Sequence, residues 1–458
     1  MTPPTEHTVA PDAITRTTWT IASLVVAGAF MTQLDAALLQ VSLDKLSSDL
    51  DVAVSSGQWS VSAYLLATGI GMPASAWLCR KFGAGRTWWW CVLAFVAASA
   101  LCALSPSLGW LVAMRALQGL VAGGMLPAGQ TCIVQAAGPK AIGRVMATAG
   151  TALVFAPALG PVLGGWMMTY YSWPWLFLIN IPVGCVILLT ARRVRLPEAT
   201  APHGRFPAAD FVFTAAALTL LTLGLGDLAD LRILNGVGFV AGAVLCMALF
   251  VSRSRRGNVL LDVRLFKQPV FAIASAVGFL SGATQFGTLI LVPLYLQKVH
   301  GWSALDAGYA MVAFAIGSAV LVFTGKYVDK YGGAVVVLSG AAVTVVASAL
   351  LALSSDRVAV VELSLVMLGI GMALSIVPSA AASYRAVAKE SMPDAVAFNN
   401  IVLRVGGAIG SCVLVVLFER LGAPSNVPFA VLSGMTVLLL VCAVLLSVNT
   451  RNEERKLR

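Results

Sequence analysis

At 458 residues the chain is long enough for two or three soluble domains, but 59% of it is hydrophobic, 11% is charged and its mean hydropathy is +0.88, which excludes a water-soluble globular protein. A formal charge of +10 raises the question of a nucleic-acid ligand, yet the basic residues form neither an arm nor a patch. Eight cysteines without a C-x-x-C pair lie almost entirely in apolar runs, so they imply neither a disulfide framework nor a metal site.

Residues 1–16 are polar, contain three prolines and precede an apolar run too long for the core of a signal peptide, so the first run is expected to be retained as a membrane helix. Crossing about 30 Å of hydrocarbon takes about 20 apolar residues. Runs of that kind fall near 18–43, 57–78, 87–105, 108–136, 143–171, 174–191, 209–228, 233–252, 269–296, 304–326, 333–354, 358–383, 395–418 and 427–448. The expected fold is therefore an all-α integral membrane protein with fourteen transmembrane helices. If the N-terminus is cytoplasmic, the inner loops and both tails carry 23 of the 30 Lys and Arg residues, and the outer side carries Lys45, Arg232, Lys298, Arg357 and Arg420. That asymmetry predicts a multi-pass protein of the cell (inner) membrane with both termini inside, and it accounts for the net charge without nucleic acid.

The chain repeats itself weakly. AWLCRKFG at 76–83 follows the second span and GKYVDKYG at 325–332 follows the tenth. The two turns, with Arg80 and Gly83 in one and Asp329 and Gly332 in the other, predict gating loops in two pseudo-symmetric six-helix bundles. These bundles are expected over 1–195 and 261–458, with two inserted linker helices within 196–260. Secondary transporters are commonly built from such repeats, with substrate bound between them near the midplane.

A charge deep in a span costs at least about 2.5–3.5 kcal/mol, so each one asks for a function or a partner. Asp35 lies inside the first span, with Thr32, Gln33 and Gln40 nearby. A carboxyl there can take up and release a proton as its surroundings change. Arg115 in the fourth span, with Gln118 and Gly119 following, cannot lose its charge, and Asp35 is its natural counterion. The pair is expected to act as a proton-coupling switch, with a purely structural ion pair as the alternative. Arg404 in the thirteenth span, one turn after Asn400, can meet an anionic group or serve packing beside Gly406 and Gly407. Uncharged candidates for a substrate cavity are Gln33, Trp59, Tyr64, Gln118, Phe155, Asn180, Gln285, Met372 and Asn400, since such sites are mostly apolar with few polar anchors. In the fifth span Pro157, Gly160, Pro161 and Gly164 stand at i, i+3, i+4 and i+7, a stripe poor in side chains that predicts tight packing against another helix. No metalloprotease, Walker A or nucleophile-elbow pattern occurs, and the chain is not expected to be an enzyme.

Taken together, Leu34-Asp35, Gln58-Trp59, Ala63-Tyr64-Leu65, Trp77-Leu78, Phe82-Gly83, Arg115 with Gln118 and Gly119, the run from Ala156 through Gly165, and Ile179-Asn180 with Pro182 and Gly184 resemble the fourteen-helix drug:proton antiporters of the major facilitator superfamily. The resemblance implies proton-coupled export of small amphipathic or hydrophobic molecules by alternating access, that is, multidrug efflux. It implies proton coupling through the arginine of span four and an exporter motif in span five that includes Gly165. It also implies no cofactor beyond the proton gradient, action as a monomer in the lipid bilayer, and room for a periplasmic adaptor. A dedicated exporter of a single metabolite, antibiotic or anionic lipid is the alternative. The chain departs from the family at Arg80, where an aspartate is common, whereas the second turn keeps Asp329.

Overall fold

The structure, a computed structural model, describes residues 15–198, 204–230, 232–254, 259–354, 357–421 and 426–457. Every regular element among them is helical: α1 (Arg16–Val41), α2 (Leu43–Asp49), α3 (Val54–Phe82), α4 (Ala84–Ala103), α5 (Leu108–Tyr170), α6 (Trp175–Leu178), α7 (Asn180–Ala191), α8 (Ala208–Ala229), α9 (Ile233–Ser254), α10 (Pro269–His300), α11 (Ala304–Ser318), α12 (Leu321–Tyr331), α13 (Gly333–Ser354), α14 (Val358–Arg385), α15 (Met392–Leu421) and α16 (Val427–Leu457). Twelve stretches among the described residues are long and apolar enough to cross a membrane, and Trp175–Ala191 is a shorter apolar one. Several buried hydroxyls are absorbed locally: Thr32, Ser42, Thr68 and Thr131 each donate to a carbonyl three or four residues back. This is how polar side chains are accommodated where water is absent.

The helices differ from the expected spans at informative places. The loop expected between 136 and 143 shrinks to one residue, Gly138 at φ 69°, so the fourth and fifth spans run on as the two arms of α5. Span six is split into α6 and α7 at Ile179, and span ten is split into α11 and α12 at Ala319–Val320. At the far end of α5 from Gly138, Trp166, Tyr170, Tyr171 and Trp175 form an exposed run of ring contacts, as at a membrane–water interface.

One core is built from α1, α3, α4, α5 and α7, around Ile21, Trp88, Phe95 and Met125. A second is built from α10, α11, α13, α14, α15 and α16, around Leu291, Leu365, Leu414 and Leu439. Helices α8 and α9 pack mainly on each other, and α8 also touches α3 and α15.

Glycine contacts repeat between the two groups. A methyl on Gly71 would strike the Leu120 carbonyl and one on Gly123 that of Thr68; Gly317 and Gly369 stand in the same relation to Val366 and Phe314. The numbers 71, 123, 160 and 164 recur as 317, 369, 406 and 410 at one constant spacing, each a glycine pressed on a neighbouring helix. The two basic turns match as well. Gly83 (φ 87°, ψ 147°) and Gly332 (φ 84°, ψ 147°) adopt one conformation, closed to most side chains, and each N–H bonds the carbonyl four residues back.

Candidate functional site

The first core encloses a charged cluster. Asp35 lies in the second half of α1 at 2% exposure, and Arg115, on the first arm of α5, is wholly buried. Arg115 Nη1 is 2.5 Å from Asp35 Oδ2 and donates to Gln118 Oε1 at 2.7 Å, while Nε donates to the Ser60 carbonyl at 3.2 Å. The other carboxylate oxygen accepts from Asn180 Nδ2 at 2.7 Å and Gln118 Nε2 at 3.3 Å, and Ser99 Oγ accepts from both amides. The guanidinium carbon sits 4.0 Å from the centre of the Tyr64 ring, and the Tyr64 hydroxyl donates to the Thr32 carbonyl at 3.2 Å.

Helical spacing explains how so few residues build this. Arg115 and Gln118 are one turn apart, on the face that Gly119 and Gly123 bring against α3, where any side chain would collide with the Tyr64 and Thr68 carbonyls. Asn180 enters from the first position of α7, directly after the break at Ile179. Away from water an ion pair holds its charges only when the remaining lone pairs and protons are also satisfied. Asp35 meets that condition. Arg115 Nη2 has no protein partner, so one donor of the cluster is left for water or an incoming acceptor.

The span-five stripe lies beside this cluster. On the second arm of α5 both Gly160 and Gly164 face α1: a methyl on Gly160 would collide with Ala37, and one on Gly164 would lie 3.3 Å from the Leu38 carbonyl. Gly165 faces open space. The side chains of Phe155, Pro157 and Pro161 fall outside the described residues, as does that of Asp329.

At the end of the bundle that carries the basic turns, the two groups of helices are joined. Arg80, at the end of α3, pairs through Nη1 with Asp394 in the first turn of α15, and its Nη2 donates to the carbonyls of Val259 (2.8 Å) and Leu260 (3.0 Å). The Asp262 N–H also donates to Asp394 Oδ1, at 3.1 Å. Around this latch Ala76, Trp77 and Val134 pack with Phe250, Leu260, Leu261, Phe271, Val396 and Phe398, an apolar seal drawn from both groups and from α9. A little deeper, Asn400 Nδ2 donates to Gln130 Oε1 at 2.6 Å.

The family model of the Major Facilitator Superfamily matches residues 25–411, with a second match over 323–458. The chain belongs to the Major Facilitator Superfamily. It is 30% identical to the "Multidrug resistance protein B homolog" of Mycobacterium tuberculosis over 416 residues, 86% of this chain and 75% of that one. It is also 30% identical to the "Multidrug export protein EmrB" of Escherichia coli over 308 residues, 64% of this chain and 58% of that one. The resemblance to the drug:proton antiporters is borne out by these relatives. Among solved structures, a human organic anion transporter, MFSD10 (TETRAN), superposes with a TM-score of 0.68 at 15% identity, covering 93% of this chain and 99% of that one. The proton:xylose symporter XylE superposes with a TM-score of 0.65 at 14% identity, covering 94% and 95%. At those identities the likeness speaks for the fold. This member of the superfamily is a multi-pass membrane transporter, and among the described residues no group of His, Cys, Asp or Glu is arranged to hold a metal ion.

The residues expected to line a cavity are dispersed in this transporter. Tyr64, Gln118 and Asn180 belong to the Asp35 cluster. Trp59 is 58% exposed, Gln33 is exposed and Gln285 is half-buried. Met372 is packed into the second core. Asn400 lines a cavity of about 90 Å³ between the groups, together with Gln130, Tyr384 and Asn399. Arg404 stands one turn beyond Asn400, half-buried and within electrostatic reach of Tyr64. Sequence reasoning missed Ser60 and Ser99, which carry no signal beyond a hydroxyl in an apolar run. It also missed Asp394, whose signal was available: an acid beside a helix start, at the same end as the unusual Arg80.

Proposed function

We propose that the protein is a proton-coupled multidrug exporter of small amphipathic or hydrophobic molecules, working by alternating access between residues 1–195 and 261–458, with the helices of 196–260 inserted between them. The observation that carries this reading is the buried cluster of Asp35, Arg115, Gln118 and Asn180, in which a carboxylate deep in the helix bundle is paired with an arginine and hydrogen-bonded at both oxygens. In this reading the chain has fourteen transmembrane helices, acts as a monomer in the inner membrane, and faces the cytoplasm with both termini and the basic turns. The latch at Arg80 and Asp394 then closes the cytoplasmic side.

The cycle follows from electrostatics. A proton arriving from the outer side binds Asp35 and removes the negative partner of Arg115. The guanidinium keeps its charge and turns to the Ser60 carbonyl, the Gln118 oxygen, the Tyr64 ring and water. Loss of that attraction loosens α1 against α5, where Gly160 and Gly164 allow close approach, and the groups rock until the latch opens. Release of the proton to the cytoplasm restores the pair. Substrate binds between the groups near Asn400 and Arg404, and no cofactor takes part.

In proteoliposomes, Asp35→Asn is expected to abolish substrate-driven proton movement while the protein remains folded, because the amide keeps the bonds to Asn180 and Gln118 but cannot release a proton. Coupled transport at the wild-type rate in that variant would remove the assignment. A second reading, export of one anionic compound, rests on Arg404: no carboxylate is paired with it among the described residues. A resistance profile confined to one anion and lost in Arg404→Gln would favour it.

A further inference from the structure

The segment that leaves α7 reads RRVRLPE, residues 192–198, and it turns back over the head of α4. Gly85, in the first turn of α4, donates its N–H to the Pro197 carbonyl at 3.0 Å, and a methyl on it would strike Leu196. This arrangement leaves a pocket of about 710 Å³ between the start of α4, the end of α7 and the returning segment. Three arginines reach its lining from three places: Arg86 from α4, Arg192 from the end of α7 and Arg195 from the segment beyond it. All three are exposed. The Arg192 guanidinium lies 5.3 Å from the centre of the Trp89 ring, and the Trp89 indole N–H donates to the Leu188 carbonyl at 3.4 Å, which holds the ring between α4 and α7.

Positive charge collects here without an answer from the protein. Helix α4 starts at Gly83 with no side-chain cap and no acid in its first turn, so the positive end of its dipole and Arg86 act on the pocket together. A cation at that end of a helix is unfavourable, and an anion is favoured there. One acid, Glu198, also lines the pocket, but among the described residues no ion pair joins it to Arg86, Arg192 or Arg195. At the same end of the bundle Arg80 and Arg253 each have a carboxylate, Asp394 and Asp210.

Inward from the arginines the surface is that of a helix facing lipid. Trp90 is 61% exposed and begins an exposed stripe with Ala94, Ala97 and Leu101 along α4, and on the neighbouring α7 Val186 and Leu189 are exposed as well. From Trp90 to Leu101 the stripe runs about 16 Å at 1.5 Å per residue, close to half of a hydrocarbon core of about 30 Å. Charge above and a leaflet's depth of apolar surface below match the two parts of an anionic phospholipid. A soluble anion would leave the stripe unused, and a zwitterionic lipid brings a cation of its own. We propose that this pocket binds one anionic phospholipid of the leaflet at the basic-turn end, its phosphate on Arg86, Arg192 and Arg195 and an acyl chain along Trp90, Ala94, Ala97 and Leu101. The binding does not depend on the transport reading above.

Native mass spectrometry of the full chain, loaded with phosphatidylglycerol or with phosphatidylcholine, tests the site without any transport step. One phosphatidylglycerol is expected to be retained per chain in preference to phosphatidylcholine, and glycerol phosphate, which has the anion but no chains, should not displace it. Retention should fall about fivefold in Arg86→Gln and in Arg195→Gln, the equivalent of about 1 kcal/mol each, at an unchanged Tm in lipid-free detergent. Lys389→Gln, which removes an exposed cation at the same end, should retain the lipid as the wild type does. Equal retention of the two lipids, an unaffected Arg195→Gln, an equal loss in Lys389→Gln, or displacement by glycerol phosphate would overturn the proposal.

Discussion

The two groups of helices share their packing and differ in their chemistry. Gly71, Gly123, Gly160 and Gly164 recur at one spacing as Gly317, Gly369, Gly406 and Gly410, and in both groups these are points where helices touch through bare backbone. At the same spacing Arg115 falls on Val361, a residue buried in the second core among Leu365 and Leu368. The glycines set how near the helices come, and that requirement is the same in both groups. The charge is not needed for it, so one group has an apolar core while the other holds a carboxylate and a guanidinium. Among the described residues the buried Asp35–Arg115 pair lies in the first group, and the Arg80–Asp394 pair joins that group to the second.

The largest expected effect breaks this comparison at its centre. Arg115→Leu leaves the Asp35 carboxylate buried without its countercharge, a loss of about 3–5 kcal/mol. Val361→Leu changes a side chain of one core by a single methylene and should cost less than about 1.5 kcal/mol. Thermal unfolding of the two purified variants in one detergent reads the difference. Comparable losses would mean that the ion pair is no more than packing. If Asp35→Asn combined with Arg115→Leu recovers most of the stability but none of the coupled transport, the charge pair serves function and the glycine framework serves the fold.

A smaller effect is expected where the groups meet. Here the two basic turns diverge, for Arg80 stands three residues before Gly83 and Asp329 three residues before Gly332. The acid common in the family is absent from the first turn, and Asp394 supplies a carboxylate to Arg80 from α15. Arg80→Asp and Asp394→Arg should each weaken the closed state, by about 3 kcal/mol for a buried pair opened at one partner. The double exchange should restore part of it, less than the whole because the carbonyls of Val259 and Leu260 would lose their donor. Cross-linking between cysteines placed on the two groups at that end measures closure. Equal cross-linking in single and double variants would show that the apolar seal alone holds the groups together.

What was legible in the sequence follows from the price of charge in lipid. Asp35 and Arg115 stand out in any apolar run, and their pairing could be argued before the structure was seen. Asn180 could not be assigned to them, because a neutral amide costs little enough to belong equally to a cavity, and its approach depends on the helix break at Ile179. Gly138 was equally silent: a residue at positive φ inside one long helical path looks, in sequence, like any loop glycine. Asp394 went unnoticed for a different reason. It lies one residue before the apolar run it belongs to, where an acid at a helix start needs no further explanation.

The smallest effects come from the stripe itself, where sequence alone treated Gly160, Gly164 and Gly165 as one motif. The structure separates them. A methyl at position 160 meets the Ala37 side chain and backbone, one at 164 meets the Leu38 carbonyl at 3.3 Å, and one at 165 meets nothing. Stability and transport should therefore fall in that order. Gly160→Ala forces α1 away from α5 at a cost of about 1–3 kcal/mol, Gly164→Ala asks for a shift of a few tenths of an ångström, and Gly165→Ala is neutral or gains up to about 1 kcal/mol of helix propensity. Because Ala37 is two residues from Asp35, the Gly160 variant should also change the pH dependence of transport, while Gly165→Ala should leave it alone. A flat response across the three positions would place the role of the stripe on a surface other than α1, and would separate close packing from the proton switch.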